Sequence, residues 1–246
     1  MKYLKFELFR FFNRPLVFIL AAVFSVLSAL IYISLKMNVL AMLQASQDLQ
    51  SPVTTLLISF ISNLNVYLMI LCSIVSGYCF ANERNSFFTI LKLSNLKTRN
   101  YIIVKFILAF VISLVCVSGI FFYGFIFQSL GLADSNYLFF NYSALLLNAM
   151  LYCSIGVLSG SLFQGAILLS FFFSLTSCLL INFLPQLFSG IGNSYVHELI
   201  TYLSLNSHFY NIQRGFLSTS DLLYYFSAIF LFLFFSLKTF EFRERE

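Results

Sequence analysis

The chain alternates long apolar runs with short polar interruptions, and the runs have the length of membrane crossings. Six can be cut at charged or turn-rich segments: Leu16–Leu35, Leu56–Phe80, Ile102–Phe127, Tyr137–Leu158, Ala166–Leu184 and Leu222–Leu237. Each is close to the roughly 20 apolar residues that cross a hydrocarbon core of about 30 Å. No Asp, Glu, Lys or Arg occurs from Ser135 to Val196. One helix over residues 135–184 would extend about 75 Å, enough for two crossings. We therefore place a turn in the small-residue stretch Gly156–Ala166, which also holds Gln164. The pattern predicts an all-α polytopic membrane protein, six transmembrane helices in a single domain over residues 1–246.

Three polar segments carry patterns of their own. In residues 1–14, Leu4, Leu8, Phe11 and Phe12 share one arc of a helical wheel, while Lys2, Lys5, Glu7, Arg10, Asn13 and Arg14 lie mostly elsewhere. Such a helix lies in the interface, apolar face in lipid and cations near anionic headgroups. Pro15 then turns the chain into the first crossing. The plainer reading is a basic flank that only sets topology. In residues 81–101, Phe87, Phe88, Ile90, Leu91, Leu93 and Leu96 surround most of a helix. A helix apolar all round is normally buried. A loop helix with polar flanks cannot enter lipid, so it needs protein on more than one side: its own bundle and a partner subunit. Lys97 and Arg99 stand at its C-terminal end, where cations suit the helix dipole.

The third segment, residues 185–221, holds two short amphipathic pieces. Asn193 or Ser194 can cap "YVHELITYL", whose Val196, Leu199, Ile200 and Leu203 share a face. "SHFYNIQRGF" repeats apolar residues at Phe209, Ile212 and Phe216 around the turn at Gly215. Ser218 and Asp221 have the spacing of a capping box that opens the last span. Two short outer helices would form a lid, or a folded loop that only seals the bundle.

Composition agrees with the pattern. Hydrophobic residues make up 60% and charged residues 9%, against about 25% charged in a soluble domain. The net charge of +5 does not point to nucleic acid, because the basic residues are not gathered on a soluble domain. Twelve Lys and Arg residues lie before span 1, between spans 2 and 3, or after span 6; Lys36 and Arg214 alone lie on the other side. The positive-inside rule then puts both termini and residues 81–101 in the cytoplasm. The first run is too long for a signal-peptide core and no A-x-A-like site follows it, so it reads as a retained helix. Pro15, Pro52 and Pro185 sit at span edges. Cys72, Cys79, Cys116, Cys153 and Cys178 all fall inside spans without C-x-x-C spacing, as small apolar filler.

Several chemistries lack their residues. No Gly precedes a Lys, so the chain has no phosphate loop and is not expected to hydrolyse ATP. There is no H-E-x-x-H; His197, Glu198 and His208 could meet at a metal, but solvated loop polarity is the reading we favour. No ionisable group is expected deep in a span, which argues against a proton-coupled carrier. Asn63, Asn65, Asn148 and Asn182 are read as interhelical hydrogen bonders in preference to a substrate path. Gly156-x-x-x-Gly160 fits a close-packing motif and is weak evidence for a dimer face. Asn141-Tyr142-Ser143 fits a glycosylation sequon. Neither paired carboxylates nor an activated nucleophile lies in the spans, so an intramembrane enzyme is poorly supported.

Two stretches and the tail resemble ABC transporter permeases of the type-2 exporter class, nearest the gliding-motility-type subgroup. "FELFRFFNRPLVFILAAVF" is similar to that family's opening. "ERNSFFTILKLSNLKTRNYIIVK" looks like its cytoplasmic coupling segment, with Phe87-Phe88 where the family usually has Gly-Thr. "SHFYNIQRGFLSTSDLLYYF" resembles its C-terminal part. The resemblance implies a permease subunit of the bacterial inner membrane, paired with a second copy or a related permease above two ATPase subunits. ATP and Mg would be bound by those partners, with no cofactor in this chain. Glu83, Arg84, Phe87, Phe88, Leu91 and Leu93 would contact the ATPase. A scaffold or sensor that recruits a soluble partner through the same loop is the competing expectation.

Overall fold

The structure, a computed structural model, describes residues 50–81, 98–118, 135–188 and 194–243, together with 19, 22–30, 32–33 and 128. The described elements are all helical: α1 (Gln50–Ala81), α2 (Thr98–Ser118), α3 (Ser135–Leu162), α4 (Ile167–Leu187), α5 (Ser194–Leu203), α6 (Leu205–Gln213) and α7 (Thr219–Arg243). Five of them, α1 to α4 and α7, contain stretches long and apolar enough to cross a membrane. They fall on the second to sixth expected spans. Of the first expected span, residues 22–30 are helical. Phe24 and Ser28 are buried there while Val23, Val26 and Leu30 face outward, and Tyr32 meets Phe60 of α1 edge-on at 6.2 Å. The chain is a helical membrane protein.

Helix α3 is the hub. It packs against α1, α2, α4, α6 and α7, and residues 151–157 are buried without a break. Its neighbours show the reverse of a soluble helix. On α4 the buried residues are Ser170, Ser174, Cys178 and Asn182, one every four positions, while Leu168 and Phe172 are 73% and 58% exposed. In lipid there is no hydrophobic gain from hiding Leu or Phe. Small and polar residues turn inward, where backbones can approach and hydroxyls find partners. Ser174 donates to Ser73 of α1 at 3.1 Å, and Ser159 of α3 meets Ser170 at 3.1 Å. Four cysteines, Cys72, Cys79, Cys153 and Cys178, are buried free thiols in this seam; the side chain of Cys116 lies outside the described residues.

The seam corrects three expectations. The turn between the fourth and fifth spans is Phe163–Ala166, with Gly165 left-handed at φ +82°, and Gly156 and Gly160 stay helical before it. Gly156 instead faces α1: a Cβ there would land on Ser76. It therefore serves packing inside one chain, not a dimer face. Asn141 is fully buried in α3, so its sequon is closed to an enzyme. Lys105, the eighth residue of α2, is fully buried with its Nζ 5.5 Å from the Tyr101 ring centroid. Pro185 is tolerated inside the last turn of α4, which runs to Leu187, three residues beyond the expected end of that span.

Candidate functional site

The end of the bundle that carries α5 and α6 gathers a network of buried polar side chains. Asn148 of α3 donates to Asn65 of α1 at 2.8 Å and accepts from the Tyr225 hydroxyl of α7 at 2.6 Å. Tyr152, one turn along α3, donates to the same Asn65 oxygen at 3.2 Å. Asn182 of α4 donates to the Tyr152 hydroxyl at 3.1 Å and to the Cys178 carbonyl at 2.8 Å. Four helices are thus joined by one neutral network whose members are all at most 7% exposed. Because each amide has partners, this is an interhelical clamp with no side chain left over to hold a substrate. Asn63 takes no part and is exposed.

Above the clamp sits a lid of α5 and α6. Ser207 ties the two helices together, donating to Thr201 and Ser204 carbonyls at 2.7 Å each. Four hydrogen-bonded contacts pin the lid to the bundle, one of them from the Tyr224 hydroxyl of α7 to the Leu203 carbonyl of α5 at 2.8 Å. Ser204 stands at the N-cap of α6, yet its hydroxyl makes no capping bond and donates at 3.3 Å to the Asn182 carbonyl of α4. Gln213, at the other end of α6, donates to the Ile58 carbonyl of α1 at 3.0 Å. Between them His208 Nδ1 lies 2.6 Å from Asp221 Oδ1 of α7.

The His208 contact is the shortest of these. Its Nε2 lies 2.8 Å from the Tyr202 carbonyl, which can only accept. Asp221 Oδ2 accepts the Ser218 hydroxyl at 2.6 Å and the Ser218 N–H at 3.3 Å. Both ring nitrogens therefore face acceptors, an arrangement satisfied when His208 carries both protons and Asp221 none. The Tyr224 ring stacks on His208 at 4.1 Å and 21°, and Tyr202 meets its edge at 5.3 Å. The pair is 5% and 3% exposed, so it is a dry histidine–carboxylate contact that joins lid to α7. Asp221 has a second task. Ser218 Oγ accepts the Asp221 N–H at 3.1 Å, completing the expected capping box, and the carboxylate lies where the α7 dipole favours it.

His208 is thus no solvated loop residue, and it does not join His197 and Glu198, which lie exposed on α5. Among the described residues no group of three His, Cys, Asp or Glu could hold a metal ion. The two short outer helices are where the sequence puts them, with Phe209 and Ile212 buried and Phe216 exposed. Gly215, left-handed at φ +89°, ends α6 as expected. Tyr152, Tyr225 and the His208–Asp221 pairing were not legible beforehand. A tyrosine in a span reads as lipid-facing, and thirteen residues hide the ion pair; its only signal is an acid in the first turn of α7 behind a loop histidine.

The expected ATPase-contacting residues Glu83, Arg84, Phe87, Phe88, Leu91 and Leu93 lie outside the described residues. So do Leu4, Leu8, Arg10, Phe11, Phe12 and Arg14 of the expected interfacial helix. The flanks of the coupling segment are defined: α1 runs through Ala81 and α2 already begins at Thr98, so residues 98–101 of the expected segment belong to a span. In comparisons with known families, curated proteins and solved structures, nothing matches this chain.

Proposed function

We propose that the chain is the transmembrane permease subunit of an ATP-binding cassette exporter, driven by a separate cytoplasmic ATPase. It would sit in a bacterial inner membrane with six crossings and both termini inside, beside a second copy or a related permease. Residues 82–97 would form the coupling element, with Phe87, Phe88, Leu91 and Leu93 seated in the ATPase and Glu83 and Arg84 at its entrance. ATP and Mg would be held by that partner.

The observation that carries this reading is the place of the coupling segment in the bundle. It joins the end of α1 to the start of α2, and α1 packs on α2, α3 and α4. Any force on the segment reaches the bundle through its best-packed neighbour of the hub. The lid contacts are shared among three helices, α1, α4 and α7. A relative movement of α1 against α7 stretches the lid between Gln213 and His208. Opening to the outside then means releasing one contact, whereas the neutral clamp below holds the helices in register. A fully satisfied clamp favours a cargo that leaves along an apolar surface.

The test is co-expression with the ABC-type ATPase subunit encoded nearest to this gene. The full-length chain should co-purify with the ATPase, and Phe87→Asp with Phe88→Asp should reduce the recovered ATPase at least tenfold while the permease still extracts as a folded protein. Undiminished recovery of the ATPase would remove the coupling role and leave the scaffold reading in its place.

A further inference from the structure

We propose that the groove between α2 and α7 binds a phospholipid with an anionic headgroup, its phosphate at Arg99 and one acyl chain along the groove. This inference rests on the membrane-spanning reading of α2 and α7 and is independent of transport.

The groove has a volume of about 400 Å³, within the usual range for a small-ligand pocket. Ile102 and Ile103 form its α2 wall and Phe230, Leu233 and Leu237 its α7 wall, with Arg99 at one end. The two helices run antiparallel, one beginning and the other ending at the basic end of the bundle. From Leu237 to Phe230 is seven residues, so the apolar channel runs about 10 Å inward from the level of Arg99. That is the shape of a headgroup site continued by an acyl chain. Its walls open outward: Phe230 is 72% exposed and Ile103 39%.

Charge selects the occupant. Arg99 is exposed and makes no ion pair among the described residues. Lys238, which stands 5.9 Å from the ring centroid of Phe234 in the same groove, is already engaged by Glu241 at 2.8 Å. One cation is therefore left over at the mouth. Two copies of this chain meeting through the patch would set net positive against net positive, since an isologous contact brings the same residues from both sides. A lipid phosphate supplies the missing anion, and basic pockets between transmembrane helices recognise acidic headgroups in this way.

The experiment is native mass spectrometry of the full-length chain, released from detergent and titrated with dioleoylphosphatidylglycerol or dioleoylphosphatidylcholine. One saturable site should prefer phosphatidylglycerol by about fivefold, the effect of one surface arginine. Arg99→Gln should abolish that preference, weakening phosphatidylglycerol more than phosphatidylcholine, whose choline already offsets the charge of its phosphate. Ile103→Trp, which fills the groove from an exposed position, should weaken both lipids. Thermal unfolding of each variant checks that it is folded. Equal affinity for the two lipids, an Arg99→Gln chain that keeps the preference, or an Ile103→Trp chain that binds both as before would each overturn the proposal. A dimer that Ile103→Trp dissociates would assign the groove to a second copy and overturn it equally.

Discussion

The seam of α1, α3 and α4 and the lid of α5 and α6 are both polar inside, but they are held by different physics. In the seam the partners are neutral and small: serine hydroxyls, asparagine amides and thiols spread along some five turns. Each bond contributes on the order of 0.6 kcal/mol when it links helices in lipid, and no single one decides whether the helices stay together. The lid is held at four points, and one of those is the buried His208–Asp221 pair. Removing one partner of such a pair costs far more than removing a neutral hydrogen bond, because the other charge is left dry and alone. Distributed neutral contacts make a part that resists moving. A few strong discrete contacts make a part that is either docked or released.

The largest expected effect therefore falls on the lid. His208→Leu leaves Asp221 buried without its cation and should cost about 3–5 kcal/mol. The loss should appear as detachment of α5 and α6, read as rapid amide exchange or proteolysis within residues 194–213, while α3 stays protected. Replacing Asp221 by Asn in the same chain should recover part of the loss; a double variant worse than the single one would show that the pair is not the weld. Next comes Gly156→Ala, whose Cβ meets Ser76 and should destabilise the seam by about 1–3 kcal/mol through overpacking. Gly77→Ala is its control, since the added Cβ finds Ser170 Oγ at an ordinary 3.4 Å. The smallest effect belongs to the clamp. Asn148→Leu removes two neutral hydrogen bonds and should cost about 1–2 kcal/mol in thermal unfolding, spread over the whole bundle without freeing the lid.

The lengths and places of the five described spans were legible because hydropathy averages over a whole crossing and needs no partner. The lid helices were legible for a related reason: their caps and apolar repeats are local, as Ser218 with Asp221 and Phe209 with Ile212 show. What stayed hidden depends on which helix meets which. The run Ser170, Ser174, Cys178 and Asn182 repeats every four residues and marks the inward face of α4, but its signal is drowned by the more numerous Leu and Phe around it. Gly156 looked like part of a turn because glycine serves both turns and close packing, and only the presence of Ser76 opposite it separates the two. Of the clamp, the asparagines were anticipated and the tyrosines were not, since a phenol can serve an interface or a core equally well.

The central claim is that the lid moves as a unit while the seam stays fixed, and amide exchange on the complex with the proposed ATPase addresses it most directly. Exchange would be followed by mass spectrometry in the nucleotide-free state and in the state trapped with ATP. The account predicts that ATP raises exchange at least tenfold in residues 194–213 and leaves residues 138–162 unchanged. Equal exchange in the lid with and without ATP, or opening of α3 together with it, would contradict the account.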